Sequence, residues 1–146
     1  MPIGNLLVKT VIKIVMADDH SVVRAGIRKV IEELPDMEGV AEVADGYDLL
    51  PTLARFQPDC LLIDVAMPDF NPIQAVMQIR ADYPQLKILV VSAYADDVYV
   101  QGLLAAGVDG YHLKDQPLSD LKLALQRVVA GEGWLSSPLI TRLGRS

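Results

Sequence analysis

At 146 residues the chain is about as long as one domain, and 51% hydrophobic with 22% charged side chains is too apolar a balance for a disordered segment. Thirteen basic against nineteen acidic side chains leave a net charge of −6, which argues against a large polyanion-binding surface, because phosphate recognition rests on Lys and Arg. A single cysteine, Cys60, excludes an intramolecular disulfide and a multi-cysteine zinc site; with no apolar run near 18 residues and no leader-like start, the expectation is a soluble protein of the reducing cytoplasm.

Short apolar runs alternate with segments of helical period. Residues 11–16 form a first strand that runs into the polar cluster Asp18-Asp19-His20. Ser21 is placed to cap a helix whose apolar residues Val23, Ile27, Val30, Ile31 and Leu34 share one face, and Pro35 ends it. A weaker strand over 39–44 precedes a helix over 46–56. Residues 60–65 form a third, wholly apolar strand that terminates on Asp64-Val65. The loop 66–71 leads to Pro72, suited to the first turn of a helix that Asn71 can cap. A fourth strand spans 87–93, a helix over 96–106 stops at Gly107, and a fifth strand spans 109–113. The last helix carries Leu118, Leu121, Leu125 and Val128 on one face and stops near Gly131.

Five strands alternating with five helices predict an α/β fold, a doubly wound parallel sheet of the flavodoxin-like (βα)5 type in the order 2-1-3-4-5. The apolar strands 1, 3 and 4 suit the centre, and 2 and 5 the edges. Residues 1–11 read as an extension, 12–131 as the domain, and 132–146 as a tail or the start of a linker. In open α/β sheets ligands bind at the carboxyl ends of the strands. There the sequence sets Asp18 and Asp19 (strand 1), Asp64 (strand 3), Ser92 (strand 4) and Lys114 (strand 5). Clustered carboxylates repel one another and call for a proton or a cation, and a hard divalent ion such as Mg²⁺ suits oxygen ligands. A lysine and a hydroxyl beside them suit an arriving phosphoryl group, and an aspartate is a competent nucleophile for an acyl-phosphate. Taken singly, Asp-Asp after a strand is more often a helix cap than a ligand, and a strand-terminal Asp is a turn residue about as often as a nucleophile. Their convergence on one sheet edge favours metal-assisted phosphorylation of an Asp.

Residues 17–20 (Ala-Asp-Asp-His), 62–68 (Leu-Ile-Asp-Val-Ala-Met-Pro), 91–93 (Val-Ser-Ala) and 110–114 (Gly-Tyr-His-Leu-Lys) resemble the receiver domain of two-component response regulators over about 12–131. The Asp-Asp-His, Lys114-Asp115 and the run 131–136 resemble the subfamily with a LuxR/NarL-type helix-turn-helix output domain. The resemblance implies that Asp64 accepts a phosphoryl group from the phosphohistidine of a sensor kinase. It implies Mg²⁺ held by Asp19, Asp64 and the Ala66 carbonyl with help from Asp18, phosphoryl contacts from Ser92 and Lys114, and Tyr111 as the aromatic that swings with Ser92. Self-association, through the face of the fourth helix, fifth strand and fifth helix or through the first and fifth helices, stays open. Proline at 72, where such loops usually carry a glycine before the helix, implies a loop that runs differently, and Ser92 stands for the commoner threonine.

The chain is expected to turn over only its own acyl-phosphate and to act as no other enzyme. The alternatives are a stand-alone receiver and a haloacid-dehalogenase-type phosphohydrolase; the latter wants Asp-x-Asp on its first strand, whereas Asp64 is on the third and position 66 is Ala. No phosphate-cradling glycine loop is present. Cys60 reads as a small core hydrophobe, His112 as facing a helix or solvent rather than a ligand, and Trp134 with Leu135 as tail packing; His20 lacks a second His or Cys for zinc. No membrane or DNA contact is expected of this chain. The output domain of a transcription regulator is expected to lie outside it, Arg142 and Arg145 being too few cations for DNA.

Overall fold

The computed structural model describes residues 11–143. The extension expected before the first strand lies outside the described residues except for Val11, as does Arg145. Twelve elements follow in order: β1 (Ile12–Ala17), α1 (Ser21–Glu32), β2 (Met37–Val43), α2 (Gly46–Phe56), β3 (Cys60–Ile63), α3 (Pro72–Asp82), β4 (Lys87–Ser92), α4 (Asp97–Ala106), β5 (Gly110–Leu113), α5 (Leu118–Val129), β6 (Trp134–Leu135) and α6 (Ser137–Leu143). The strands form one sheet in the order β2-β1-β3-β4-β5-β6, with every neighbouring pair parallel. The flavodoxin-like order is borne out, with one correction. The two-residue β6 pairs with β5 through Gly110↔Trp134 and Tyr111↔Leu135, so β5 is an interior strand and not an edge. Trp134 and Leu135 are part of the sheet rather than tail packing.

Strand side chains alternate between two cores, as the pleat requires. Ile14, Met16, Cys60, Leu62, Leu89 and Val91 pack with Ile27 and Ile31 of α1 and Leu121, Leu125 and Val128 of α5. Val15, Ala17, Leu61, Ile63, Ile88, Val90 and Tyr111 face the other way, onto Leu49 and Leu53 of α2, Val76 and Ile79 of α3, Val100 and Leu103 of α4, and Leu139 of α6. Cys60 is fully buried, and burial pushes its thiol above the ordinary range, in keeping with a core hydrophobe.

The helix ends follow their local chemistry. Asn71 Oδ1 accepts from the Gln74 N–H at 3.3 Å with Pro72 in the first turn, and Gly107 takes φ 114° at the end of α4. At α1 the cap position belongs to His20, which makes no side-chain cap bond, and Ser21 is the first helical residue. The loop before α3 shows what Pro72 demands. Proline cannot take a positive φ, and here the left-handed residue is Asp69, at φ 53°. Its carbonyl lies so close to Gly46 that a Cβ there would sit 2.2 Å from it, and the Gly46 N–H donates to the Pro68 carbonyl at 3.1 Å. The start of α2 thereby braces the loop that follows β3.

Candidate functional site: the carboxyl edge of the sheet

Register brings the polar residues together. Ala17 pairs with Ile63 and the Asp64 N–H donates to the Ala17 carbonyl at 2.8 Å, so Asp18 and Asp64 stand side by side just past the ladder. Ser92 pairs with Leu113, and the Lys114 N–H donates to the Ser92 carbonyl at 2.8 Å. Asp18, Asp64 and Ser92 are buried while Asp19 is exposed. The apolar run of β3 thus delivers an acid into a pocket almost closed to water.

Lys114 Nζ is the local counter-charge. It donates to Asp64 Oδ2 at 2.9 Å and pairs with Asp18 Oδ2 at 2.9 Å. Burial works to lower the Lys114 pKa, but the close contacts with Asp18 and Asp64 outweigh it and hold the ammonium above the ordinary lysine value. Asp18 Oδ1 accepts the His20 N–H at 2.7 Å, whereas Oδ2, buried and ion-paired, has no aligned hydrogen bond. Asp64 Oδ1 accepts the Ala66 N–H at 3.1 Å. One ligand-capable atom from each of Asp18, Asp19, His20 and Asp64 lies within 4.8 Å of the others. The donor set is rich in hard carboxylate oxygens, and Asp18 Oδ2 keeps unused acceptor capacity, so these residues suit a divalent cation such as Mg²⁺.

Sequence reasoning placed Asp18, Asp19, Asp64, Ser92 and Lys114 at this edge, and the structure brings them there. It also draws in His20, from the Asp-Asp-His run, together with Arg24 and Tyr94. His20 Nδ1 reaches within 3.2 Å of Asp19, 3.3 Å of Asp18 and 3.5 Å of Asp64. Arg24 Nη1 donates to the Asp18 carbonyl at 2.6 Å. Tyr94 connects two expected residues: its N–H donates to Ser92 Oγ at 3.0 Å, and its carbonyl accepts the Tyr111 hydroxyl at 2.7 Å. Burial pushes the Tyr111 phenol up to about 12 against the opposing pull of its hydrogen bond with Ser92. Tyr111 therefore remains a neutral donor, locked to the loop after β4.

The family model of the response regulator receiver domain matches residues 14–126, the stretch that holds the acids of β1 and β3 and Lys114. The chain belongs to that family. The oxygen regulatory protein NreC of Staphylococcus aureus (strain NCTC 8325 / PS 47) is 38% identical over 132 residues, which are 90% of this chain and 61% of NreC. The chain thus spans less than two thirds of the length of that relative. A LuxR-family two-component response regulator from Aurantimonas sp. SI85-9A1 superposes with a TM-score of 0.87 at 26% identity, over 93% of this chain and 97% of that one. The isolated receiver domain of RcsB from Salmonella enterica serovar Typhimurium, solved with the phosphomimetic BeF₃⁻, gives a TM-score of 0.84 at 26% identity, over 92% of this chain and 99% of that one. These likenesses make the chain a receiver of the LuxR/NarL type, as its motifs suggested. Among the described residues no helix is long and apolar enough to cross a membrane.

Proposed function

We propose that this receiver is a phosphorylation switch in which Asp64 takes a phosphoryl group from the phosphohistidine of a sensor kinase. The observation that carries this reading is the buried Asp64 carboxylate, 2.9 Å from Lys114 Nζ and beside Asp18. An Asp64 oxygen forms the new P–O bond as the N–P bond of the donor breaks, and the departing imidazole takes up a proton. Mg²⁺, held by Asp18, Asp19, Asp64 and the Ala66 carbonyl, would neutralise the charge gathering on the phosphoryl oxygens. Lys114 stands ready to pair with one of those oxygens, and the Ser92 hydroxyl donates to another once it turns from the Tyr94 N–H. The hydrolase alternative lacks its Asp-x-Asp, because position 66 is Ala.

RcsB has been solved as two dimers bound to two parallel DNAs. By analogy this receiver regulates transcription through an output domain beyond these residues, and pairs with a second copy when phosphorylated. The net charge of −6 assigns DNA contact to that domain and not to this chain. Incubation with acetyl phosphate and Mg²⁺ should add one phosphoryl group, roughly 80 Da carrying nearly two negative charges, and Asp64→Asn should abolish it. An adduct persisting in Asp64→Asn, seen by intact mass, would overturn the assignment.

A further inference from the structure

The segment after α5 does not leave the domain. It returns across the face of α4, and its anchors converge on the residues that surround Ser92. The Ser136 N–H donates to the Tyr111 carbonyl at 3.1 Å, and Ser136 Oγ accepts the Leu113 N–H at 2.9 Å, so the start of α6 is tied to β5 on either side of His112. Leu139 is fully buried in the core that also holds Tyr111, Val100 and Leu103. At the far end Arg142 Nη2 pairs with Asp97 Oδ1 at 2.6 Å and donates to the Ala95 carbonyl. Asp97 opens α4, and Ala95 lies in the loop between Ser92 and that helix. We infer that α6 is a strap, latched by Arg142 onto Ala95 and Asp97, that holds the loop after β4 in its unphosphorylated position and is released when Asp64 carries a phosphoryl group.

The coupling follows from how few atoms separate the latch from the site. Residues 92–97 form one short stretch: Ser92 at its start accepts from Tyr94, Tyr94 accepts from Tyr111, and Ala95 and Asp97 hold Arg142. A phosphoryl oxygen on Asp64 that draws the Ser92 hydroxyl inward removes the acceptor of the Tyr94 N–H. The loop then shifts, and Ala95 and Asp97 move with it. Arg142 cannot follow freely, because Leu139 is seated in the core one turn earlier. Linkage makes the effect reciprocal: a strap that favours the unphosphorylated loop opposes phosphorylation, so unlatching it eases phosphorylation. Arg142 and Asp97 side chains are 39% and 57% exposed, which keeps the latch weak and the coupling near the low end of the usual range, roughly fivefold. Release would free the segment that continues toward any following domain, at the same moment as the α4–β5 face changes shape.

The strap rests on the reading of Asp64 as phosphoacceptor, and the experiment separates the two. Hydrogen exchange is followed in residues 64–71 and 137–143 of the parent, Arg142→Ala and Asp97→Asn, with and without Mg²⁺ and beryllofluoride. In the parent the probe should slow exchange in 64–71 and speed it in 137–143. In either variant 137–143 should exchange fast from the start, and the probe should bind roughly fivefold more tightly. Leu139 is untouched in both variants, so the fold is retained, and agreement between them ties the effect to the pair. Protection of 64–71 without any change in 137–143 of the parent would overturn the strap while leaving the phosphoacceptor reading intact, as would equal probe affinity in parent and variants. Failure to protect 64–71, together with no adduct from acetyl phosphate, would overturn both.

Discussion

Among the described residues Lys114 Nζ is the ammonium that meets both Asp18 Oδ2 and Asp64 Oδ2, each at 2.9 Å, and its side chain is only 13% exposed. Removing one partner of a buried ionic group leaves a charge without water or counter-ion, which costs about 3–5 kcal/mol. Lys114→Ala should therefore lose about 3 kcal/mol, and Mg²⁺ should restore more of its melting temperature than it adds to the parent, because the ion replaces the missing charge. Melting curves with and without Mg²⁺ test this; a Lys114→Ala protein that melts like the parent would mean that the lysine neutralises nothing. His112 is buried on the α1–α5 side of β5, at a cavity of about 190 Å³ also lined by Val23, Ile27, Val91, Lys114 and Leu121. Burial holds its imidazole below the ordinary pKa, against the upward pull of Asp120 and Asp115. As pH falls through about 6.5 the unfolded chain takes up this proton first, so the stability that neutral His112 contributes is complete above that pH and shrinks below it. His112→Phe should flatten the fall in melting temperature between about pH 7.5 and 5.5; equal slopes would clear His112 as its source.

At the scale of elements, legibility tracked the length and strength of the local signal. The central strands were readable because β3 is buried on both faces and wholly apolar, and β4 is buried and apolar between Lys87 and Ser92. The start of α3 was readable because Asn71 and Pro72 act within one turn. β6 was not: two residues carry no period, and what makes them a strand is the free edge of β5. The same holds within the site. Topology placed Asp18, Asp64, Ser92 and Lys114 at one edge, but their pairing is not local. Lys114 meets Asp64 across 50 residues and His20 across 94, and Tyr94 joins Ser92 to Tyr111 across 17. Such contacts depend on side-chain directions that no spacing rule encodes. Asp69 shows the converse. Proline at 72 signalled an altered loop, and the left-handed turn lies three residues upstream.

For the whole molecule the open question is whether residues 12–131, the unit bounded by helical punctuation, are a complete folding unit. Beyond residue 131 the chain adds β6 to the sheet and buries Leu139 in the larger core, and Ser136 gives the Leu113 N–H its acceptor. Losing a fully buried leucine costs about 2–5 kcal/mol, and a backbone donor left buried without a partner adds about 1–3 kcal/mol when no water reaches it. A chain ending at residue 131 should fold, keep its phosphoryl adduct on Asp64, and be less stable by about 3 kcal/mol, lowering the melting temperature by roughly 10 °C for a domain of this size. It should also self-associate more readily at high concentration, since Gly110-Tyr-His-Leu113 then presents an unpaired edge. Thermal melts and light scattering of the two lengths decide the matter: equal stability and no added association would make β6 and α6 passengers on a domain complete without them.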